Sequence, residues 1–170
     1  MKIFQWTAIL LCASVLCWSC NKGENTEVPA VTNEDVNGVW QLKSWTGEAN
    51  NPDGTSYTFD DVVYVYVVLE ANQTFELYQN ISAIGAAKLS GSYSLDGSTI
   101  HGSYKTATGS TFWSDAYTVS NLTENGMTWT AAHATGDVQQ FVRVEAVPQE
   151  VIDQSTEVRA AMPVSMQGIF

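Results

Sequence analysis

Residues 62–69 read Val-Val-Tyr-Val-Tyr-Val-Val-Leu, an unbroken β-branched and aromatic run held between Asp61 and Glu70. Such side chains pack well on a pleated surface and lose rotamer freedom in a helix. A strand with apolar residues on both faces is buried on both sides or lines a cavity. The run therefore demands a sheet with something packed inside it and something covering it.

The rest of the chain repeats the strand pattern with dense punctuation. Strands are expected at Gly38–Thr46, Asp61–Glu70, Thr74–Gln79, Ala87–Leu95, Ser98–Lys105, Phe112–Ser120, Gly126–Ala132 and Val138–Val144. Turn clusters such as Asn51-Pro52-Asp53-Gly54 and Ala71-Asn72-Gln73 separate them. Eight short strands, most starting about ten residues apart, describe an all-β barrel or sandwich, not alternating α/β units.

One hairpin can be aligned from its side chains. A two-residue turn at Asp96-Gly97 places Tyr93 opposite Ile100, Gly91 opposite Gly102 and Leu89 opposite Tyr104. Ser94, Ser92 and Ser90 then meet Thr99, His101 and Ser103 on the other face. One face is apolar or glycine and the other polar, and a one-residue slip would mix them. The glycine pair leaves a dent on the apolar face, and Lys88 would oppose Lys105. Past Pro148, Gln149–Ala161 is expected to form a short helix, and the apolar residues 164–170 are expected to pack.

All three cysteines lie near the N-terminus. Lys2 precedes a short apolar run, Ile9 to Leu16, followed by Leu16-Cys17-Trp18-Ser19-Cys20. The run is too short to span a bilayer as a stable helix and has the form of a sorting signal. A small residue directly before Cys20 resembles the bacterial lipobox, which implies cleavage after Ser19 and a lipid on Cys20. Cys12 and Cys17 would leave with the signal, so the mature chain would have no intrachain disulfide. Asn21 stands where an Asp retains many Gram-negative lipoproteins at the inner membrane, which favours the outer membrane. The expected organisation is a signal at 1–19, a flexible polar tether at 20–35, a barrel at 36–147 and a C-terminal extension at 148–170. Eighteen acidic residues against seven basic ones argue against nucleic acid, whose phosphates need Lys/Arg neutralisation. Membrane attachment is expected through the lipid and not through surface charge.

Gly38-Val39-Trp40 opens the first strand and Arg143 lies in the last. This set resembles the lipocalins, in which Gly-x-Trp in the first strand meets an arginine from the last. The resemblance implies that Gly38, Trp40 and Arg143 close one end of the barrel, the guanidinium covering the ring by stacking and cation–π contact. A closer resemblance is to the lipocalin-like domain of lipoproteins from Bacteroidota-type bacteria. Its residues here are Gly38 and Trp40, Phe75 to Gln79, Gly91 with Tyr93, Gly102 with Tyr104, Trp113 with Tyr117 and Val119, and Pro148 with Glu150 and Val151. The resemblance implies an eight-stranded antiparallel lipocalin-like barrel with a short C-terminal helical segment and an envelope address. It carries over no catalytic residues.

Tyr64, Tyr66, Phe75, Tyr93, Tyr104, Trp113, Tyr117 and Trp129 all fall in strands. As packing they supply core area. As a pocket they would line a cavity suited to an apolar ligand with a polar end. His101 and His133 have no carboxylate or cysteine at metal-ligand spacing, and no nucleophile motif accompanies the serines. The expectation is an envelope-anchored, non-enzymatic lipoprotein without cofactor or metal that binds a small hydrophobic or amphipathic molecule in a barrel cavity. The alternative is an accessory protein whose barrel is filled and whose surface contacts another envelope protein.

Overall fold

The computed structural model describes residues 30–50, 56–82, 85–106, 109–134 and 136–157. Cys20, the signal, most of the tether and residues 164–170 lie outside the described residues. In chain order the strands are β1 (Gly38–Trp45), β2 (Ala49–Asn50), β3 (Ser56–Tyr57), β4 (Val62–Leu69), β5 (Thr74–Ile81) and β6 (Gly85–Asp96), then β7 (Thr99–Thr106), β8 (Gly109–Phe112), β9 (Tyr117–Ser120), β10 (Gly126–Ala131), β11 (Val138–Val144) and β12 (Thr156–Glu157). Helix α1 (Asn33–Val36) precedes them, a 3₁₀ turn (Phe59–Asp61) precedes β4, and α2 (Gln149–Gln154) follows β11.

Eight strands close an antiparallel barrel. Their order is β6-β5-β4-β1-β11-β10-β9-β7, and β7 returns to β6. Closure joins the first and last long strands, with Trp40 directly opposite Arg143. It removes the unpaired edges that an open sheet of this length would present. Two short strands add to the wall, β8 on β7 and β12 parallel to β6.

The two-faced strand β4 finds both of its partners. Val65, Val67 and Leu69 point into the barrel and are fully buried. Tyr64, Tyr66 and Val68 point out, into a second apolar cluster with Tyr78, Val144 and Val151. Val151 is the buried residue of α2, so this helix is the outer cover of the wall. The helix is shorter than expected. It ends at Gln154, where the Ser155 hydroxyl bonds the Val151 carbonyl, and the chain then pairs with Ala87 and Lys88 as β12.

The β6–β7 hairpin keeps its expected faces but not its expected register. The turn is Gly97-Ser98, with Gly97 at φ 60°, so Tyr93 faces Gly102 and Gly91 faces Tyr104. A two-residue displacement preserves the period-two alternation, which is why the faces alone cannot reveal it. Each glycine thus lies opposite a tyrosine, and there is no shared dent. A β-carbon on Gly102 would lie 2.6 Å from the Trp113 ring, and one on Gly91 would lie 1.9 Å from the Ser103 carbonyl oxygen and 2.8 Å from the Phe75 ring. Aromatic rings already occupy the space the glycines leave. The like-charge pair also does not form. Lys88 lies opposite Tyr78 and bonds Glu76 at 2.6 Å, while Lys105 lies opposite Ser110.

The strand expected at Phe112–Ser120 is broken into β8 and β9. Both pair with the same side of β7, but their registers differ by two residues across the break. A contact distant in sequence causes the break. Asp115 accepts bonds from its neighbour Ala116 N–H at 2.7 Å and from His133 N–H at 2.9 Å, pinning a bend at Ser114-Asp115.

Helix α1 lies where the tether was expected to continue. Thr32 caps it: its N–H bonds the Asp35 carboxylate at 2.9 Å, and its hydroxyl accepts from Asp35 N–H. Val36, at the helix end, is fully buried in the core.

Candidate functional site

One end of the barrel is plugged. The Trp40 ring is fully buried and its indole N–H donates to the Val36 carbonyl at 2.7 Å. The Arg143 guanidinium lies 4.1 Å from the centre of that ring. It donates to the carbonyls of Glu124 (2.8 Å), Asp35 (3.0 Å) and Asn37. Gly38 has φ 138°, and a β-carbon there would lie 2.2 Å from Arg143 Nη1. The three residues of the expected closure motif therefore meet in one place, and each has a physical reason to be what it is.

The eight candidate pocket residues divide into two groups. Phe75, Tyr93, Tyr104, Trp113, Tyr117 and Trp129 point into the barrel and are all buried. Trp113 stands at the centre, with ring centres 5.2 Å from Phe75, 5.9 Å from Trp129 and 6.5 Å from Tyr117. Trp129 continues the packing to Phe141 at 5.0 Å. These are ordinary separations for tilted and edge-to-face aromatic packing. Tyr64 and Tyr66 lie elsewhere, on the outer face beneath α2.

The interior also holds two glutamines that no aromatic pattern announces. Gln79 and Gln139 are fully buried. Their positions follow from alternation: Leu77, Gln79 and Ile81 share one face of β5, and Gln139 and Phe141 share one face of β11. β5 starts and β11 ends at the plug, so both glutamines lie in the half of the barrel away from it. Gln139 sits between two indoles, opposite Trp45 on one side and Trp129 on the other.

A polar cluster surrounds Gln139. The Trp45 indole N–H donates to Asp137 Oδ1 at 2.6 Å, and Gly47 leaves room for this pair, since a β-carbon there would lie 2.3 Å from the Trp45 nitrogen. Burial pushes the Asp137 carboxyl above the usual carboxylate range, against hydrogen bonds from Trp45 and Gln139. Burial, and then the charge of Asp137, hold the Tyr117 hydroxyl far above the ordinary phenol range, against hydrogen bonds with Ser114 and Gln139. Tyr117 is thus held as the neutral phenol at neutral pH.

Gln79 differs. Among the described residues, neither its amide nitrogen nor its amide oxygen has a hydrogen-bond partner. Its flanking inward residues, Val65 and Ala87, are apolar. Leaving a buried polar group unpaired costs about 1–3 kcal/mol. Such a group in a packed wall is a place where a water or a ligand atom belongs.

Clefts also lie outside this interior. One of about 620 Å³ flanks the plug, between Val31 and Leu122. Another, of about 360 Å³, runs along the outer wall past Thr74, Ser92, Ser103 and Phe112. Among the described residues no group of three or more His, Cys, Asp or Glu could hold a metal ion. Among them no helix is long and apolar enough to cross a membrane.

The family profile of the lipocalin-like domain matches residues 36–129. Two solved structures are similar. A lipocalin-like protein from Bacteroides uniformis is 19% identical, with 65% of this chain and 99% of that chain covered at a TM-score of 0.45. An uncharacterized protein from Bacteroides eggerthii is 17% identical, with 64% and 98% covered at a TM-score of 0.39. No curated protein sequence matches.

Proposed function

The chain belongs to the lipocalin-like domain family, and from that premise we propose that it is a non-enzymatic, envelope-anchored protein that binds a small amphipathic molecule in the barrel half holding Gln79 and Gln139. A lipocalin-like barrel is consistent with ligand binding. The observation that carries the proposal is Gln79, fully buried in an apolar wall with both amide atoms unpaired among the described residues. An amide offers one donor and one acceptor site side by side, which suits a carboxylic acid, a hydroxyl or another amide. The ligand's apolar body would lie against Trp113 and Trp129, and its polar end would meet Gln79.

Anchoring rests on Cys20, which follows the apolar run with a small residue before it. Asn21 in the next position favours the outer membrane. Intact-mass analysis of membrane fractions tests this. Lipid on an N-terminal Cys20, and release of Cys20→Ala from the membrane, are expected. Unmodified protein that begins elsewhere, or a variant that stays attached, would overturn it.

A second reading is favoured by the ring packing itself. Phe75, Tyr104, Trp113, Tyr117 and Trp129 interlock in the barrel, and two of these rings also fill the space at the glycines. A barrel filled in this way would act through its surface, as an accessory to another envelope protein. Tryptophan emission distinguishes the readings. With fatty acids, bile acids and porphyrins as probes, the binding reading predicts a shift that Trp113→Phe or Trp129→Phe alters. The filled barrel predicts no response to any probe.

A further inference from the structure

The outer cleft carries a pattern independent of the barrel interior. Thr74, Ser92, Ser103 and Phe112 lie in register across four neighbouring strands, each directly opposite the next. They form one row on the outside of the wall, three hydroxyls ending at an aromatic ring. The next pair along the same face is Ser94 and His101, bonded at 3.0 Å. Phe112 is 76% exposed, whereas its neighbour in sequence, Trp113, is buried.

We propose that this row is a binding site for a neutral saccharide. A sugar ring has an apolar C–H face and a rim of hydroxyls that both donate and accept. An uncovered aromatic face next to a line of serine and threonine hydroxyls is complementary to both parts. Among the described residues, no Asp, Glu, Lys or Arg lines the cleft, in a chain with eighteen acidic residues. That lining selects against charged ligands, which would enter with no ion-pair partner. The wall beneath is stiff, because the row sits on paired strands and not on a loop, so little ordering entropy is lost on binding. The cleft, about 360 Å³, falls at the small end of the ~300–1,000 Å³ common for ligand sites, which suits a short oligosaccharide end.

The test is NMR titration of the full chain with cellobiose, maltotriose, mannobiose and galactobiose, each at about 10 mM, near the weak end of the range where such contacts register. At least one should shift backbone resonances of Ser92, Ser103 and Phe112. Phe112→Ala should weaken that binding about fivefold by loss of stacking, and Phe112→Trp should keep or tighten it. Phe112 is exposed, so neither variant should unfold the barrel. Circular dichroism checks that, and Ser103→Ala provides a second, separately folded variant that should also weaken binding. The proposal is overturned if no saccharide shifts these resonances, if Phe112→Ala and Ser103→Ala both bind unchanged, or if Phe112 is protected by an envelope protein instead. Gln79→Met should leave this titration unaltered, which separates the site from the interior one.

Discussion

The Arg143 guanidinium lies 4.1 Å over the Trp40 ring, directly across the pairing that joins the first long strand of the barrel to the last. The contact joins β1 to β11 and also ties α1 to the wall, since Arg143 donates to the carbonyls of Asp35 and Asn37.

Removing the guanidinium strips the ring of its cover and three carbonyls of a charged donor. Arg143→Ala is expected to lower stability by about 2 kcal/mol, combining lost stacking with lost charged hydrogen bonds that water partly replaces. Urea unfolding followed by tryptophan emission measures it. A variant within error of the parent would mean the plug contributes nothing to closure.

Gly38→Ala acts on the same plug from the other side. At φ 138° a side chain is strained whatever the space, and its β-carbon would also strike Arg143. A loss of about 2 kcal/mol or more is expected. Combining it with Arg143→Ala should give less than the sum of the two single losses, because the clash is then gone while the strain persists. Strict additivity would show that the two residues do not share the contact.

The hairpin glycines should not be equivalent. Alanine at Gly102 presses on the Trp113 ring at 2.6 Å and on the Ser92 carbonyl at 2.8 Å, a milder backbone clash than the one at Gly91. Alanine at Gly91 presses on the Ser103 carbonyl, which is fixed in the β6–β7 ladder. Overpacking typically costs about 1–3 kcal/mol, and Gly91→Ala is expected at the upper end and Gly102→Ala at the lower. Thermal unfolding of the two variants gives the order, and the reverse order would contradict the packing described.

The carboxylates of Asp115 and Asp137 should titrate apart. Burial works against charging Asp115, but bonds from the His133 ring at 2.7 Å and from the backbone N–H groups of His133 and Ala116 outweigh it and lower its pKa. Its contribution to stability is therefore present above the ordinary aspartate range and lost as pH falls through the depressed folded value. For Asp137 the sign is opposite. Its raised folded value means its burial opposes folding at neutral pH, and that opposition is relieved as pH falls through that value. Carboxyl-carbon NMR should find Asp137 taking up its proton at higher pH than Asp115. The reverse order would remove the account of both groups.

Much of this architecture is legible in residues that obey local rules. Strand period, the two-faced run at 62–69 and the Gly38, Trp40 and Arg143 set lead to the closed barrel, because each encodes where side chains must point. The hairpin register is not legible, since turns at Asp96-Gly97 and at Gly97-Ser98 give the same faces. The break between β8 and β9 depends on Asp115 meeting His133, eighteen residues away, and no local signal contains that. Gln79 was readable in principle from its alternation with Leu77 and Ile81. Aromatic rings are the conspicuous pocket candidates in the sequence, while the group whose chemistry is unmet among the described residues is an amide. Tyr64 and Tyr66 show the same limit, because strand membership does not say which face is inside when both are apolar.

The central claim is that the barrel interior receives the polar end of an amphipathic molecule at Gln79. The most direct measurement compares the parent protein with Gln79→Met, a swap of similar shape without the amide, in stability and in fluorescence titration with fatty acids, bile acids and porphyrins. The account predicts that the ligand-free variant is more stable by about 1–2 kcal/mol, since an unpaired buried amide is gone. It also predicts that the probe bound by the parent binds the variant about tenfold more weakly, the loss of one good hydrogen bond. No probe binding to the parent, or equal binding by both proteins, would contradict it and leave the filled barrel as the working description.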